Sequence, residues 1–373
     1  MERKILHIDV NNAFLSWTAI DRLENGETVD IRKIPAVIGG DEERRSGIVL
    51  AKSMKAKMCG ITTGETLYMA RQKCNNLQVF KGDYKKYSFY SNELYKLLLE
   101  YTDKIERFSI DECFLDMTNY LMNRDIYSIA EEINLRVKKE LGFTVNIGIS
   151  TNKLLAKMAS DFEKPDKIHT LYPEEIEKKM WSLPVKELFM LGRKTAPKLY
   201  NMRIKTIGDL AHFDKKILLK KFGKFGNLMW EYANGIDNSE VNNKKEKPKG
   251  IGTSTTLARD IGNIEELEKV LLSLTEQVCF RLRKKKMQAS VVNVQLRTKD
   301  FMDFSHQEKL ITATSSTKEI YSHAKKLLLE MYKNGLLIRL IGIRLDKLIN
   351  EDEGQISLFD YNKDNRQENL DKT

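Results

Sequence analysis

Three carboxylates are the first residues whose type and placement suggest chemistry. Asp9 closes an apolar run, Lys4-Ile-Leu-His-Ile-Asp-Val. Asp111 and Glu112 are adjacent, between Phe108-Ser-Ile and Cys113-Phe-Leu. In a straight strand neighbouring side chains point to opposite faces, so this pair could not share a site. At the tip of a tight hairpin the two can converge. A third acid from an adjacent strand end would complete an oxygen-rich site for hard divalent cations. Two Mg²⁺ about 3.5–4 Å apart can clamp the attacking and leaving oxygens of an in-line phosphoryl transfer. The plainer alternative is that Asp9 caps a helix and Asp111-Glu112 decorate a turn, where acids are common.

The surrounding pattern supplies elements able to position these acids. Residues 4–10 read as a strand, 12–24 as a short helix and 47–51 as another strand, followed by a basic helix through Lys57. Tyrosines and leucines at helical spacing mark 84–101. Residues 105–118 read as two short strands around Asp111-Glu112, 125–141 as a helix, 144–149 as a strand and 151–162 as a helix. This order predicts an α+β fold, a mixed sheet with helices on one face. Beyond residue 171 short helices meet at glycine turns, as in Leu191-Gly-Arg-Lys-Thr-Ala and Ile204-Lys-Thr-Ile-Gly-Asp-Leu-Ala. Asn242-Asn-Lys-Lys-Glu-Lys-Pro-Lys-Gly has no periodicity and reads as a linker. After it come a helical stretch at 262–287, a strand at 291–297, a helix at 316–332 and a strand at 336–345.

Length and charge narrow the class. At about 100–200 residues per domain, 373 residues make two to four domains. Charged residues are 31% and hydrophobic ones 41%, which excludes an extended disordered chain. No apolar run approaches the roughly 20 residues that cross a bilayer. The N-terminus lacks the apolar core of a signal peptide. Four cysteines without a CxxC pair argue against a zinc site or disulfide framework and for a reduced cytosol. The net charge of +10 is unevenly spread: +1 over residues 1–170, +6 over 171–248, +7 over 249–347 and −4 over 348–373. A neutral catalytic part beside a basic gripping part fits this asymmetry, and so does solvated surface lysine.

Three motifs in order carry a resemblance. His7-Ile-Asp-Val-Asn-Asn-Ala-Phe-Leu-Ser, Phe108-Ser-Ile-Asp-Glu-Cys-Phe-Leu-Asp-Met-Thr and Val145-Asn-Ile-Gly-Ile-Ser-Thr-Asn-Lys-Leu-Leu-Ala-Lys-Met-Ala-Ser-Asp-Phe-Glu-Lys-Pro are similar to the three motifs of the Y-family DNA polymerases. These are the lesion-bypass enzymes of the DinB/polymerase IV and UmuC-like group, and the resemblance covers nearly the whole chain. It implies a right-hand α+β polymerase with a ferredoxin-like palm at 1–9 and 80–170 and small fingers at 10–79. A helix-hairpin-helix thumb would span 171–235, a linker 236–248, a little finger 249–347 and a tail 348–373. It implies template-directed addition of dNTPs to a primer 3′-OH, low fidelity, and translesion synthesis in DNA repair and the SOS response. Asp9, Asp111, Glu112 and the Val10 carbonyl would hold two Mg²⁺. Phe14 would be the steric gate against a ribose 2′-OH, and Lys164 would contact the triphosphate.

The chain departs from the family in the fingers, and in the thumb turn, where the expected Gly-x-Gly reads Leu191-Gly-Arg. The expected Tyr-x-x-Arg of the fingers is Met54-Lys-Ala-Lys57. Lys57 keeps the charge but lacks the bidentate fork, and Met54 has no hydroxyl. Ser53 and Lys55 are the nearby candidates to compensate. Gly39-Gly-Asp-Glu-Glu also resembles a diguanylate cyclase loop, but Arg44-Arg-Ser-Gly follows where a strand is required, so the stretch reads as an exposed finger loop.

DNA contacts would come from Gly192, Arg193 and Lys194, where a glycine turn can present backbone N–H groups to a phosphate. Gly223-Lys-Phe-Gly226 offers a second such turn. Arg281, Arg283, Lys284, Lys285, Lys286, Arg297 and Lys299 are seven cations without an acid between 281 and 299. In the tail, Gln355, Leu358 and Phe359 resemble the peptide that binds the bacterial sliding clamp. The implied partners are primer-template DNA, dNTP and that clamp, for a cytoplasmic monomer without a membrane. A non-enzyme alternative is an inactive polymerase-like protein that binds DNA and a clamp; the intact Asp9, Asp111 and Glu112 argue against it.

Overall fold

The computed structural model describes residues 2–40, 47–243, 247–333 and 335–351. The acids of the Gly39-Gly-Asp-Glu-Glu stretch and the peptide Gln355–Phe359 lie outside the described residues. Two compact units divide the described residues, one formed by 2–40 and 48–243 and the other by residue 47 and the residues from 247 on.

The first unit begins β1 (Ile5–Val10), α1 (Ala13–Glu24), β2 (Ala36–Gly39), β3 (Val49–Lys52), α2 (Met54–Met58), α3 (Leu67–Lys73), β4 (Gln78–Lys81) and α4 (Tyr84–Leu99). It continues β5 (Ile105–Arg107), β6 (Glu112–Asp116), α5 (Ile126–Arg136), β7 (Val145–Ser150), α6 (Lys153–Ser160) and β8 (Ile168–Thr170). Short helices follow: α7 (Ile176–Lys179), α8 (Ala196–Tyr200), α9 (Ile207–Ala211), α10 (Lys215–Phe222) and α11 (Lys224–Ala233). Side-chain caps start several helices where the sequence offers them. Asp83 accepts from the N–H groups of Lys85 and Lys86, Asp125 from Ser128, and Asn152 from Leu155. Such a cap is worth about 1 kcal/mol.

A five-stranded sheet of order β5-β6-β1-β7-β8 is the frame of this unit. β1 lies between β6 and β7, antiparallel to both. All six of its residues are buried, so both sheet faces are covered. Leu6, Ile8 and Val10 join α1, α4 and α5 in one core with Trp17, Tyr87, Leu94 and Ile133. Ile5 and Phe114 pack on Ala156 of α6 on the other side. The expectation of helices on one face is therefore corrected. A small residue permits the second layer. A Cβ on Gly148 would lie 1.9 Å from the Ala156 carbonyl oxygen and 2.6 Å from the Ser160 nitrogen. Glycine thus lets the backbones of β7 and α6 touch.

A smaller sheet, β3-β2-β4, carries α2 and α3. Leu15 of α1 packs with Ile31, Ala36 and Ile38, joining it to the larger sheet's helix. Helices α7 to α11 share a core with α6 through Leu154, Leu155, Met158, Leu199, Leu210 and Met229. Residues 237–243, read as part of a linker, are hydrogen-bonded onto the first unit. Arg3 donates to the carbonyls of Asp237 and Ser239, and the Asn242 N–H donates to Glu106 Oε2 at 2.7 Å.

The second unit runs β9 (Gly250–Ile261), α12 (Ile264–Lys284), β10 (Met287–Thr298), β11 (Asp303–Thr314), α13 (Thr317–Met331) and β12 (Ile338–Asn350). Its antiparallel sheet has the order β11-β10-β12-β9. Both helices cover one face, over Val292, Val294, Leu296, Ile341, Ile343 and Leu345. The opposite face carries Asn293, Gln295, Arg297, Arg344, Ser254 and Ser305 around Gly342. Neither β9 nor β11 was predicted.

Candidate active site

The carboxylates converge because three strands end together. Asp9 stands opposite Glu112 in the β1–β6 register, and the Val10 N–H bonds the Asp111 carbonyl at 3.0 Å. Asp111 occupies the turn between β5 and β6, while Glu112 opens β6. All three acids border one cavity of about 660 Å³. Phe14, Leu50, Met54, Lys57, Lys157 and Lys164 line it as well.

Two buried or half-buried ammonium groups bind Asp9, Glu112 and the nearby Asp161 together. Lys157 Nζ lies 3.1 Å from Asp9 Oδ2, 2.9 Å from Glu112 Oε1 and 3.3 Å from Asp161 Oδ2. Lys164 Nζ lies 2.8 Å from Asp9 Oδ2 and 2.9 Å from Asp161 Oδ1. Burial works against the charge on both lysines, yet the surrounding carboxylates push both pKa values up. Glu112 also resists the cost of burial. The Lys157 ammonium, bonded to it at 2.9 Å, holds its carboxyl well below the usual range. Asp111 goes the other way. Burial raises its pKa, the Asp9 and Glu112 charges raise it further, and the Ser109 hydrogen bond offsets this only in part.

His7 sits behind Glu112, fully buried. Its Nδ1 contacts Ser160 Oγ at 2.8 Å, while Nε2 has no hydrogen-bond partner and stands 3.8 Å from Glu112 Oε2. Burial lowers its pKa, so the ring is neutral at pH 7.

The donor set fits a hard divalent cation. Every donor is oxygen, and the Asp9 and Glu112 charges add to burial in raising the Asp111 pKa. As the side chains stand, no three His, Cys, Asp or Glu groups among the described residues are arranged about a common ion. Glu112 and Asp9 instead face the two ammonium groups.

Phe14 projects from the first turn of α1 and stacks on Tyr87, with ring centroids 4.6 Å apart and planes at 13°. Tyr84 meets its edge at 5.9 Å. The ring is thereby fixed on the cavity wall. Lys57 and Met54 line the cavity from α2, but Ser53 is not free to help them. Its hydroxyl donates to the Ile34 carbonyl and accepts from Ala36 and Ala56 N–H groups, at only 1% exposure. The suggestion that Ser53 compensates is corrected on that ground. Lys55 does not line the cavity; Arg32, Lys52 and Thr63 do. Lys52 donates to Thr63 Oγ1 at 3.2 Å, and burial and the Lys57 charge lower its pKa.

Sequence reading missed Lys157, Asp161, Arg32 and Lys52. The i,i+4 spacing of Lys157 and Asp161 within the third motif was the available signal.

Within the second unit, the cations between 281 and 299 do not form one patch. Gly192, Arg193 and Lys194 are exposed in the turn before α8. At the second glycine turn, Gly226 serves packing, since a Cβ there would meet the Leu218 carbonyl at 2.1 Å. Arg281, Lys284, Lys285 and Lys286 are exposed around the end of α12. Arg283 brackets α13 through the Ser315 carbonyl and Thr317 Oγ1. Arg297 and Lys299 lie at the far end of β10, roughly 35 Å away along the strand. Arg297 is engaged by Asp303 at 2.7 Å.

A solved Y-family DNA polymerase chimera superposes with a TM-score of 0.82 over 93% of this chain and 99% of that one, at 22% identity. The fold is therefore the α+β fold of a Y-family polymerase. The pattern of the impB/mucB/samB family matches residues 8–161, and that of its C-terminal domain matches 248–358. DNA polymerase IV of Clostridium acetobutylicum is 51% identical over 100% of this chain and 94% of its own length. DNA polymerase IV of Acetivibrio thermocellus is 38% identical over 96% and 90%, and DNA polymerase IV 2 of Bacillus subtilis 36% over 97% and 89%. The chain belongs to the impB/mucB/samB family, on its DinB-like side.

Proposed function

We propose that this protein is a template-directed DNA polymerase that adds dNTPs to a primer 3′-OH and copies damaged templates. The observation that carries the reading is the convergence of Asp9, Asp111 and Glu112 on one cavity walled by Phe14 and lysines. Asp9, Asp111, Glu112 and the Val10 carbonyl would hold two Mg²⁺. The chemistry such ions supply when bound is activation of the primer hydroxyl and neutralisation of the triphosphate.

The protein's own residues do the rest. Lys164, Lys57, Lys52 and Arg32 line the cavity and would present positive charge to the triphosphate. Phe14, held by Tyr87, would exclude a ribose 2′-OH. Lys157 neutralises Asp9 and Glu112 and keeps them close. Positioning and charge account for most of such a reaction, so no nucleophilic triad is required.

DNA would be held through phosphates by the Gly192–Lys194 turn and the exposed cations near the end of α12. The open polar face of the second unit's sheet suits the same task. Gln355, Leu358 and Phe359 would dock on a bacterial sliding clamp. We place the protein in the cytoplasm as a monomer acting in the SOS response; no described helix is long and apolar enough to cross a membrane.

Offering each dNTP singly opposite each template base tests the reading. Incorporation should follow template pairing and require primer. Product from GTP alone, or extension indifferent to template, would overturn it.

A further inference from the structure

Helices α2 and α3 each end on a cysteine. Cys59 caps α2 and Cys74 caps α3, their N–H groups bonding the Lys55 and Arg71 carbonyls. The two Sγ atoms are 3.2 Å apart, with the Cys59 thiol donating to Cys74. Cys74 donates in turn to Asn76 Oδ1 at 3.2 Å. A second tie holds the pair in place: Lys73 Nζ donates to the Gly60 carbonyl at 3.0 Å and to Glu65 Oε2 at 2.5 Å. The residue before Cys74 is thus bonded to the residue after Cys59. Cys74 is buried among Leu67, Ala70 and Leu77, while Cys59 is half-buried.

We propose that Cys59 and Cys74 form a reversible redox site, a dithiol that hydrogen peroxide converts to a disulfide. The accessible Cys59 sulfur attacks the peroxide first. The O–O bond breaks, a sulfenic acid forms, and hydroxide leaves with the thiol proton as water. The Cys74 sulfur then attacks the Cys59 sulfur. The S–S bond forms, the S–O bond breaks, and the Cys74 proton leaves with the hydroxide as a second water. Two thiols lose two electrons in total, and one peroxide becomes two waters. Excess small-molecule thiol reverses the step by exchange.

The geometry asks for little movement. The sulfurs must close from 3.2 Å to a bond of about 2.05 Å. Burial and the neighbouring Cys59 push the Cys74 thiol pKa up, which leaves the more accessible Cys59 as the sulfur that meets the peroxide first. Transient bonds of this kind are the usual form of disulfide in a reducing compartment. The bond would fasten the end of α2, two residues beyond Lys57 on the cavity wall, to the end of α3.

The test reads mass, not polymerisation, so it is independent of the proposed activity. The full chain is treated with equimolar hydrogen peroxide, alkylated and digested. The expected result is an intact mass lower by about 2 Da, one peptide pair joining Cys59 to Cys74, and full recovery of both thiols with dithiothreitol. Cys59→Ser and Cys74→Ala should each abolish the cross-link. Cys59 is half-buried, so Cys59→Ser decides the matter if Cys74→Ala fails to fold. Free alkylated Cys59, sulfinic acid without a cross-link, or a bond to Cys113 or Cys279 would overturn the proposal.

Discussion

Replacing Lys157 by Met removes a cation from among acids without greatly changing volume. Lys157 touches Asp9 and Glu112 at 3.1 and 2.9 Å, with only 9% of its side chain exposed. Its third contact, Asp161, is 45% exposed and contributes little. Asp9 keeps Lys164 at 2.8 Å, but Glu112 loses its ammonium partner. Orphaning one member of a buried pair costs about 3–5 kcal/mol, and the retained Lys164 argues for the lower end, about 3 kcal/mol. For a unit of this size that lowers Tm by about 6–12 °C. Trp17, Trp181 and Trp230 all lie in the first unit, so tryptophan fluorescence follows its unfolding. Mg²⁺ should then stabilise Lys157→Met more than the wild type, because the ion no longer competes with the ammonium. The same 3 kcal/mol corresponds to an affinity gain of up to about 100-fold. Equal Tm values in EDTA, or equal Mg²⁺-induced shifts, would refute the assignment of Lys157 as the resident counter-charge.

Phe14→Ala should raise ribonucleotide incorporation relative to deoxynucleotide by about 10–200-fold, read from single-nucleotide kcat/KM ratios; an unchanged ratio removes the gate role. Gly148→Ala forces a methyl into the Ala156 and Ser160 backbones and should cost about 3 kcal/mol or more, seen as a lower urea midpoint. Burial opposes ionisation of Asp30, but hydrogen bonds from Arg32 hold its carboxyl below the usual range. A depressed folded pKa gives stability that is present above the unfolded value of about 3.9 and lost as pH falls through the folded value. Urea titrations should accordingly show the penalty of Asp30→Asn at full size above about pH 5 and shrinking towards pH 3.

Much of the frame was legible because its signals are local. The apolar strand ending in Asp9, and Asp83, Asp125 and Asn152 ahead of helical periodicity, mark β1, α4, α5 and α6. The three acids were visible as types, and the three motifs gave them a common purpose. What escaped depends on tertiary contact. β9 and β11 alternate polar residues with few apolar ones, since one face is open and β11 is an edge strand. The second helical layer rests on Gly148, whose close approach to α6 leaves no periodic trace. Lys157 on a helix reads as surface, and its burial follows from that same approach. Ser53 looked available until its hydroxyl was accounted for as a cap. The pairing of Cys59 with Cys74 arises from two helix ends meeting, at a spacing no short motif encodes.

The central claim is that Asp9, Asp111 and Glu112 assemble a phosphoryl-transfer site. Primer extension with Mg²⁺ by the wild type and by Asp111→Ala plus Glu112→Ala tests it most directly, with circular dichroism to check that both are folded. The account predicts extension by the wild type and at least about a 10³-fold loss in the double variant, as roughly 4 kcal/mol of transition-state stabilisation is removed. Comparable extension by both, or none by the wild type, would contradict it.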